Sequence, residues 1–300
     1  MNSKVKVARL SILSNSSLIL MKIFVGIFTG SVSIISEAIH STMDLAAAII
    51  AFFSVKISDK PADEDHPYGH GKVENISGVL EALLIFGASV WIIVEAVKKI
   101  MHPEIVGSIG IGFIVMFISA LVNHIVSKKI YKIAKQEDSI ALEADALHLK
   151  ADVYTSLGVG VGLLLIWITK LHFLDPIVAI IVAIFILKEA YSLLKTAFEP
   201  LLDVKLSDTQ INSIKAAIDK HSAVYCDFHD LRTRKSGRTK YIDLHLVFPE
   251  NMTIKDAHDI CDIIENDIEK SLKNTHATIH LEACDKNCSY CKFTKKEKCK

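Results

Sequence analysis

Two short patterns inside apolar stretches carry the chemistry of this sequence. His40 and Asp44 lie four residues apart in GSVSIISEAIHSTMD, and His148 and Asp152 repeat that spacing in ALEADALHLKADVYTSLGV. On a helix, a four-residue spacing puts both side chains of a pair on one face. Glu37 accompanies the first pair and Asp145 the second. Ionisable groups are expensive in hydrocarbon, and where they occur they mark binding sites or pathways. Two helices that each offer one imidazole and one carboxylate supply an N₂O₂ donor set, which suits a tetrahedral divalent ion such as Zn²⁺. The two carboxylates would also cancel the charge of the ion. The same residues could instead be interhelical hydrogen-bond partners, and it is the matching repeat that favours a metal.

Three further groups have ligand chemistry. PADEDHPYGHGK places Asp63 three residues before His66, with His70 four residues after it; metal binding and plain solvation of a polar loop are both open here. Four of the six histidines in the last third of the chain (His229, His245, His258 and His280) sit on or beside expected strands and the amphipathic helix, where they could converge. All six cysteines lie beyond residue 225, and Cys284, Cys288, Cys291 and Cys299 follow a C-x₃-C-x₂-C-x₇-C spacing among lysines. That is not a zinc-finger spacing. The four thiols could wrap one soft ion, or form a reduced, irregular tail. Cys226 and Cys261 read as ordinary core or surface residues.

The elements that must position these groups follow from hydropathy. The chain has 300 residues, 51% of them hydrophobic, and equal numbers of basic and acidic residues, 34 each, which excludes a strongly basic nucleic-acid binder. Mean hydropathy is +0.36, above that of an ordinary soluble protein. A bilayer core of about 30 Å requires roughly 20 apolar helical residues. Six stretches meet or approach this: 8–29, 32–57, 76–101, 108–127, 141–169 and 176–195. The first leads directly into the second and carries no small-residue cleavage pattern, so it is not read as a signal peptide. Lysines and arginines collect in the N-terminal flank, the second-to-third loop and the fourth-to-fifth loop, which orients both termini to the cytoplasm.

From Asp203 the pattern is that of a soluble domain: a helix over 207–220 capped by Ser207, strands over 224–234 and 239–248 joined by Lys-Ser-Gly, an amphipathic helix over 253–272 and a last strand over 277–281. This α-β-β-α-β order predicts a small α+β sandwich. The expected division is a transmembrane six-helix domain over 1–202, a cytoplasmic domain over 203–283 and a tail over 284–300.

Together with PADEDHPYGHGKVENI, LLD at 201–203 and HDLRTRKSG at 229–237, the two apolar motifs resemble the cation diffusion facilitators, bacterial zinc and iron efflux transporters. The resemblance runs from about residue 8 to 283. It implies a homodimer with six spans per protomer and a cytoplasmic ferredoxin-like domain. It places the transport site on His40, Asp44, His148 and Asp152, and a loop site on Asp63, His66 and His70. A cytoplasmic dinuclear site falls on His229, His245, His258, His280 and Glu282, the last standing where the family pattern has an aspartate that bridges two ions. An ion pair between Lys72 and Asp203 is implied at the junction of membrane and soluble domains.

The function expected from this is efflux of a divalent cation, Zn²⁺ first and Fe²⁺, Co²⁺, Cd²⁺ or Mn²⁺ as alternatives, across the cytoplasmic membrane by proton antiport. The metal is then both substrate and regulatory ligand, with no organic cofactor; membrane lipid, protons and a second copy are the partners, and nucleic acid is not one. A membrane metalloenzyme is disfavoured, because there is no H-E-x-x-H and no nucleophile with a paired base. A metal sensor that transports nothing is the other alternative.

Overall fold

The computed structural model describes residues 3–29, 32–101, 110–169 and 174–284. Six long helices come first: α1 (Ser3–Thr29), α2 (Val32–Ser58), α3 (Lys72–Met101), α4 (Gly110–Glu137), α5 (Ile140–Thr169) and α6 (Leu174–Phe198). Windows in α1, α3, α4 and α6 are apolar enough to cross a membrane; α2 and α5 are the helices that carry the His/Asp pairs. Large apolar side chains such as Leu20, Phe28, Leu84, Trp91 and Ile181 stay exposed along the helices. A lipid-facing surface requires this, because hydrocarbon rather than water covers it.

Several helices run past the apolar stretches that predicted them. The fourth was expected to stop at 127, whereas α4 continues to Glu137. Residues 128–137 (KKIYKIAKQE) have low hydropathy but place Ile130 and Ala134 on one face, and both are buried against α5. A hydropathy scan ends at the charges; the helix ends where its buried stripe does.

α5 sits between two packed clusters. Ala141, Leu142, Ala146 and Leu149 meet α1, α2 and α4, while Ala144 and its neighbours meet Ala82 and Ile85 of α3 and Ile186, Ala190 and Leu193 of α6. Small residues permit these close approaches. At Gly78 of α3, an added Cβ would lie 2.6 Å from Ile140 Cγ2 and 3.1 Å from Ala197 Cβ. Asn75 on the same stretch donates to the Ala197 carbonyl at 3.3 Å. The starts of α3 and α5 and the end of α6 therefore meet.

A buried polar knot ties the same end of the bundle to α1 and α2. Lys4 Nζ lies 2.6 Å from Asp59 Oδ1 and 2.9 Å from Glu74 Oε1. Glu74 also accepts from Ser58 at 2.6 Å and from Ser139, just before α5.

The chain divides into two compact units, Met1–Phe198 and Glu199–Lys300, so the short 3-10 turn Glu199–Leu202 belongs with the second. That unit contains α7 (Asp208–Asp219), β1 (Asp227–Ser236), β2 (Thr239–Phe248), α8 (Ile254–Ser271) and β3 (Thr275–Ala283). The α-β-β-α-β order is as expected. A Ser207–Gln210 capping box starts α7 and Thr253 caps α8. β1 starts three residues later than expected and runs to Ser236, because residues 221–224 form turns; β3 extends two residues beyond the expected strand at each end. The hairpin turn is Gly237–Arg238, with Gly237 at φ +57°.

The sheet order is β1-β2-β3, with β1 antiparallel and β3 parallel to β2. Ile242, Leu244 and Leu246 of β2 and Ile279 and Leu281 of β3 pack on Ile214 and Ile218 of α7 and Ile264 and Ile268 of α8. Alternation sends the intervening residues to the opposite face.

Candidate metal centres

α2 and α5 bring Asp44 of the one together with His148 and Asp152 of the other in the first unit. Asp44, His148 and Asp152 each offer a ligand atom within 4.8 Å of the others. His148 Nε2 is 3.1 Å from Asp44 Oδ1, and its Nδ1 is buried without a hydrogen-bond partner among the described residues. Asn15 of α1 holds the Asp44 carbonyl at 3.4 Å, which fixes α1 against α2 beside the cluster. Further along α1, Lys22 is buried and donates to Ser41 at 2.7 Å. His40 lies on α2 one turn before Asp44; its side chain is outside the described residues. Three of the four expected transport ligands thus converge from two helices. One imidazole nitrogen with two carboxylates makes a partial set for a divalent ion, and a fourth ligand one turn away would complete it.

The loop between α2 and α3 gathers its three residues by turn chemistry. The Asp63 carboxylate accepts the His66 backbone N–H at 2.7 Å, and its two oxygens lie 3.3 Å from His66 Nδ1 and 3.4 Å from His70 Nε2. Gly69, at φ +78°, turns the chain so that the two imidazoles stand 4.5 Å apart. The hydrogen bond from the His66 backbone is the main force holding the Asp63 carboxyl below its usual range.

In the second unit the open face of the sheet carries a row of histidines. His229, His245 and His280 are register partners across β1, β2 and β3. A bulge makes this possible: two residues, Asp230 and Leu231, oppose Leu244 alone, with Asp230 at φ +51°. The extra residue lets Leu231 turn to the core while His229 and Arg232 both face outward. Glu282 bridges two imidazoles, with Oε1 2.7 Å from His245 Nδ1 and Oε2 3.3 Å from His229 Nε2. His229, His245 and Glu282 form a possible ligand group, and the His280 ring lies 4.8 Å from that of His245. His258 is not part of this group. It is exposed on α8, 3.7 Å from Asp262.

The remaining expected sites are less complete. Cys284 is not in a loose tail: it directly follows β3, donates its N–H to the Phe248 carbonyl at 2.8 Å and is buried beside Cys226 and Val247. Cys288, Cys291 and Cys299 lie outside the described residues. Burial pushes the Cys261 thiol up to about 12, which suits a core residue rather than a thiolate ligand. Lys72 and Asp203 fall in different units; within its own unit Asp203 lies 3.9 Å from Arg234. The sequence reading passed over Glu81, a fully buried carboxylate in the apolar run of α3. An acid deep in the apolar part of a predicted span, far from the Glu95, Lys98 and Lys99 group at its end, was the available signal.

Comparison with known proteins follows the same division. Residues 8–202 match the cation efflux transmembrane domain, and residues 206–284 match the cytoplasmic domain of cation efflux proteins. An uncharacterised Synechocystis transporter, sll1263, is 35% identical over 254 residues, 85% of this chain and 82% of that protein. The cation-efflux pump FieF of Klebsiella pneumoniae is 32% identical over 268 residues, 89% of this chain and 88% of the pump. Among solved structures, the zinc form of CzrB is 28% identical and covers 27% of this chain and 92% of its own, with a TM-score of 0.26.

Proposed function

The chain belongs to the cation efflux family, as a multi-pass membrane transporter of divalent cations with a cytoplasmic C-terminal domain, and from that premise we propose that it expels Zn²⁺ in exchange for protons at His40, Asp44, His148 and Asp152. The observation that carries this reading is the meeting of Asp44, His148 and Asp152 from two helices within the bundle. An imidazole and carboxylate donor set favours zinc over the harder ions; Fe²⁺, Co²⁺, Cd²⁺ and Mn²⁺ are the competing cargoes.

The chemistry follows from ligand protonation. A carboxylic acid or an imidazolium cannot coordinate a metal, so protons and metal compete for the same atoms. Histidine can make that exchange near neutral pH. Opening the site alternately to the two sides then couples outward metal to inward protons. The cytoplasmic domain supports assembly as a homodimer, because it matches the family's ZT_dimer model. Metal at His229, His245 and Glu282 would act as a regulatory ligand there, and the Asp63, His66 and His70 loop would take a further ion. Placement in the cytoplasmic membrane with the N-terminus inside follows from the distribution of basic residues.

The test uses purified full-length protein in vesicles with a pH-sensitive dye in the lumen. A zinc gradient should drive proton movement in the wild type, and His40→Ala and Asp152→Ala should each abolish it. Wild-type flux in both variants would remove the site assignment. Zinc binding without flux in the wild type would favour a sensor.

A further inference from the structure

We propose that Glu81 and Asp145 form a second cation site, an all-oxygen loading site through which the divalent ion reaches the Asp44, His148 and Asp152 cluster from the cytoplasmic side. The proposal rests on the transport reading above.

Both side chains are withdrawn from the surface, with exposures of 0% for Glu81 and 1% for Asp145. Each has one oxygen occupied and one open. Ser77, one turn earlier on α3, donates to Glu81 Oε1 at 3.2 Å. Ser11 of α1 donates to Asp145 Oδ1 at 3.0 Å. Glu81 Oε2 and Asp145 Oδ2 are buried with no hydrogen-bond partner among the described residues. A Cβ added at Gly78, three residues before Glu81, would meet Ile140, five residues before Asp145, so the two carboxyl groups arise from adjoining turns of α3 and α5. The adjoining residues Ala82 and Ala144 belong to one packed cluster, which holds α3 and α5 together at this level.

Burial of this kind needs either a counter-charge or a proton. A buried carboxylate without a cationic partner costs several kcal/mol, and two neighbouring carboxylates repel when both are ionised. Neither group forms an ion pair among the described residues. A divalent cation would cancel both charges and use both open oxygens, with the serine hydroxyls available as further oxygen donors.

The location suits an entry step. Asp145 precedes His148 by three residues, a rise of about 4.5 Å along α5. It lies toward the start of that helix, the end of the bundle where α6 leads into the cytoplasmic domain. An oxygen-only set also holds zinc less tightly than one with imidazole. A weak site before a stronger one lets an ion enter and move on.

The experiment measures initial zinc flux against zinc concentration in vesicles of full-length protein, at fixed pH and across a pH series. Glu81→Gln, which is close to isosteric, should raise the KM for zinc about tenfold or more, with a larger loss at low metal than at saturation. Glu81→Asp, which keeps the charge, should recover most of that loss, and Asp145→Asn should behave as Glu81→Gln does. An unchanged KM in Glu81→Gln and Asp145→Asn would overturn the proposal. So would a shifted pH profile at unchanged KM, which would make the pair a proton carrier only. Should Glu81→Gln fail to assemble, Asp145→Asn decides in its place: a raised zinc KM supports the site, and a zinc KM equal to wild type overturns it. A wild type that moves no zinc would instead refute the transport reading itself.

Discussion

Replacing Lys4 with methionine isolates the energetics of the buried knot at the cytoplasmic end of the bundle. The Lys4 and Glu74 side chains are 2% and 3% exposed, and Asp59 is 19% exposed. Lys4→Met keeps the aliphatic length and deletes the charge, leaving the Glu74 carboxylate, among the described residues, with the Ser58 and Ser139 hydroxyls. Breaking one side of a buried pair costs about 3–5 kcal/mol. At roughly 2–4 °C per kcal/mol for a chain of this size class, the midpoint of thermal unfolding should fall by about 6–20 °C. Glu74→Gln retains an oxygen for the hydroxyls and removes the stranded charge. The double variant Lys4→Met/Glu74→Gln should therefore be more stable than Lys4→Met alone, with a coupling of about 2 kcal/mol or more. The assay is thermal unfolding of the detergent-solubilised full chain, followed by helical circular dichroism, for all four members of the cycle. A midpoint within about 2 °C of wild type for Lys4→Met, or strictly additive effects, would show that the knot carries no such energy.

Gly78→Ala should destabilise the bundle by about 1–3 kcal/mol through overpacking, since the new methyl would sit 2.6 Å from Ile140 Cγ2. Alanine ordinarily favours a helix interior over glycine by roughly 0.5–1 kcal/mol, so an increase in thermal stability would show that the α3–α5 approach is loose. In the cytoplasmic unit, the hydrogen bond from His221 at 3.0 Å holds the Asp267 carboxyl below its usual range. That depressed value contributes stability above the ordinary carboxylate range, and the contribution disappears as pH falls through the folded-state value. Asp267→Asn should accordingly speed amide exchange in α8 at neutral pH, and the difference from wild type should vanish in acid; a difference independent of pH would sink this account.

The helical count was legible because apolar runs long enough to span a bilayer have few other uses. The ends were not, because residues such as Ile130 and Ala134 bury one face of a segment whose average is polar. His148 and Asp152 were legible from spacing alone, and their meeting with Asp44 depends on a helix pairing that no local pattern encodes. Glu81 was visible as an acid out of place, yet its partner lies on a helix 64 residues further along the sequence. The bulge at Asp230 was hidden for a related reason. Strand alternation read along β1 does not reveal where one residue must be skipped for His229 to face His245. Cys284 shows the converse error: spacing grouped it with the tail, while pairing with Phe248 assigned it to the sheet.

The parallel pairing of β3 with β2 has a mechanical consequence. Ile279 and Leu281 face the helices, and His280 and Glu282 alternate with them on the other side. The oily seam thus works as a ruler for the polar face. Sliding β3 by one position would expose both aliphatic side chains and bury both polar ones in the same stroke, so no small slip can detune Glu282 from His245 gradually. The spacing of the histidine row is in this way set by side chains on the opposite face of the sheet.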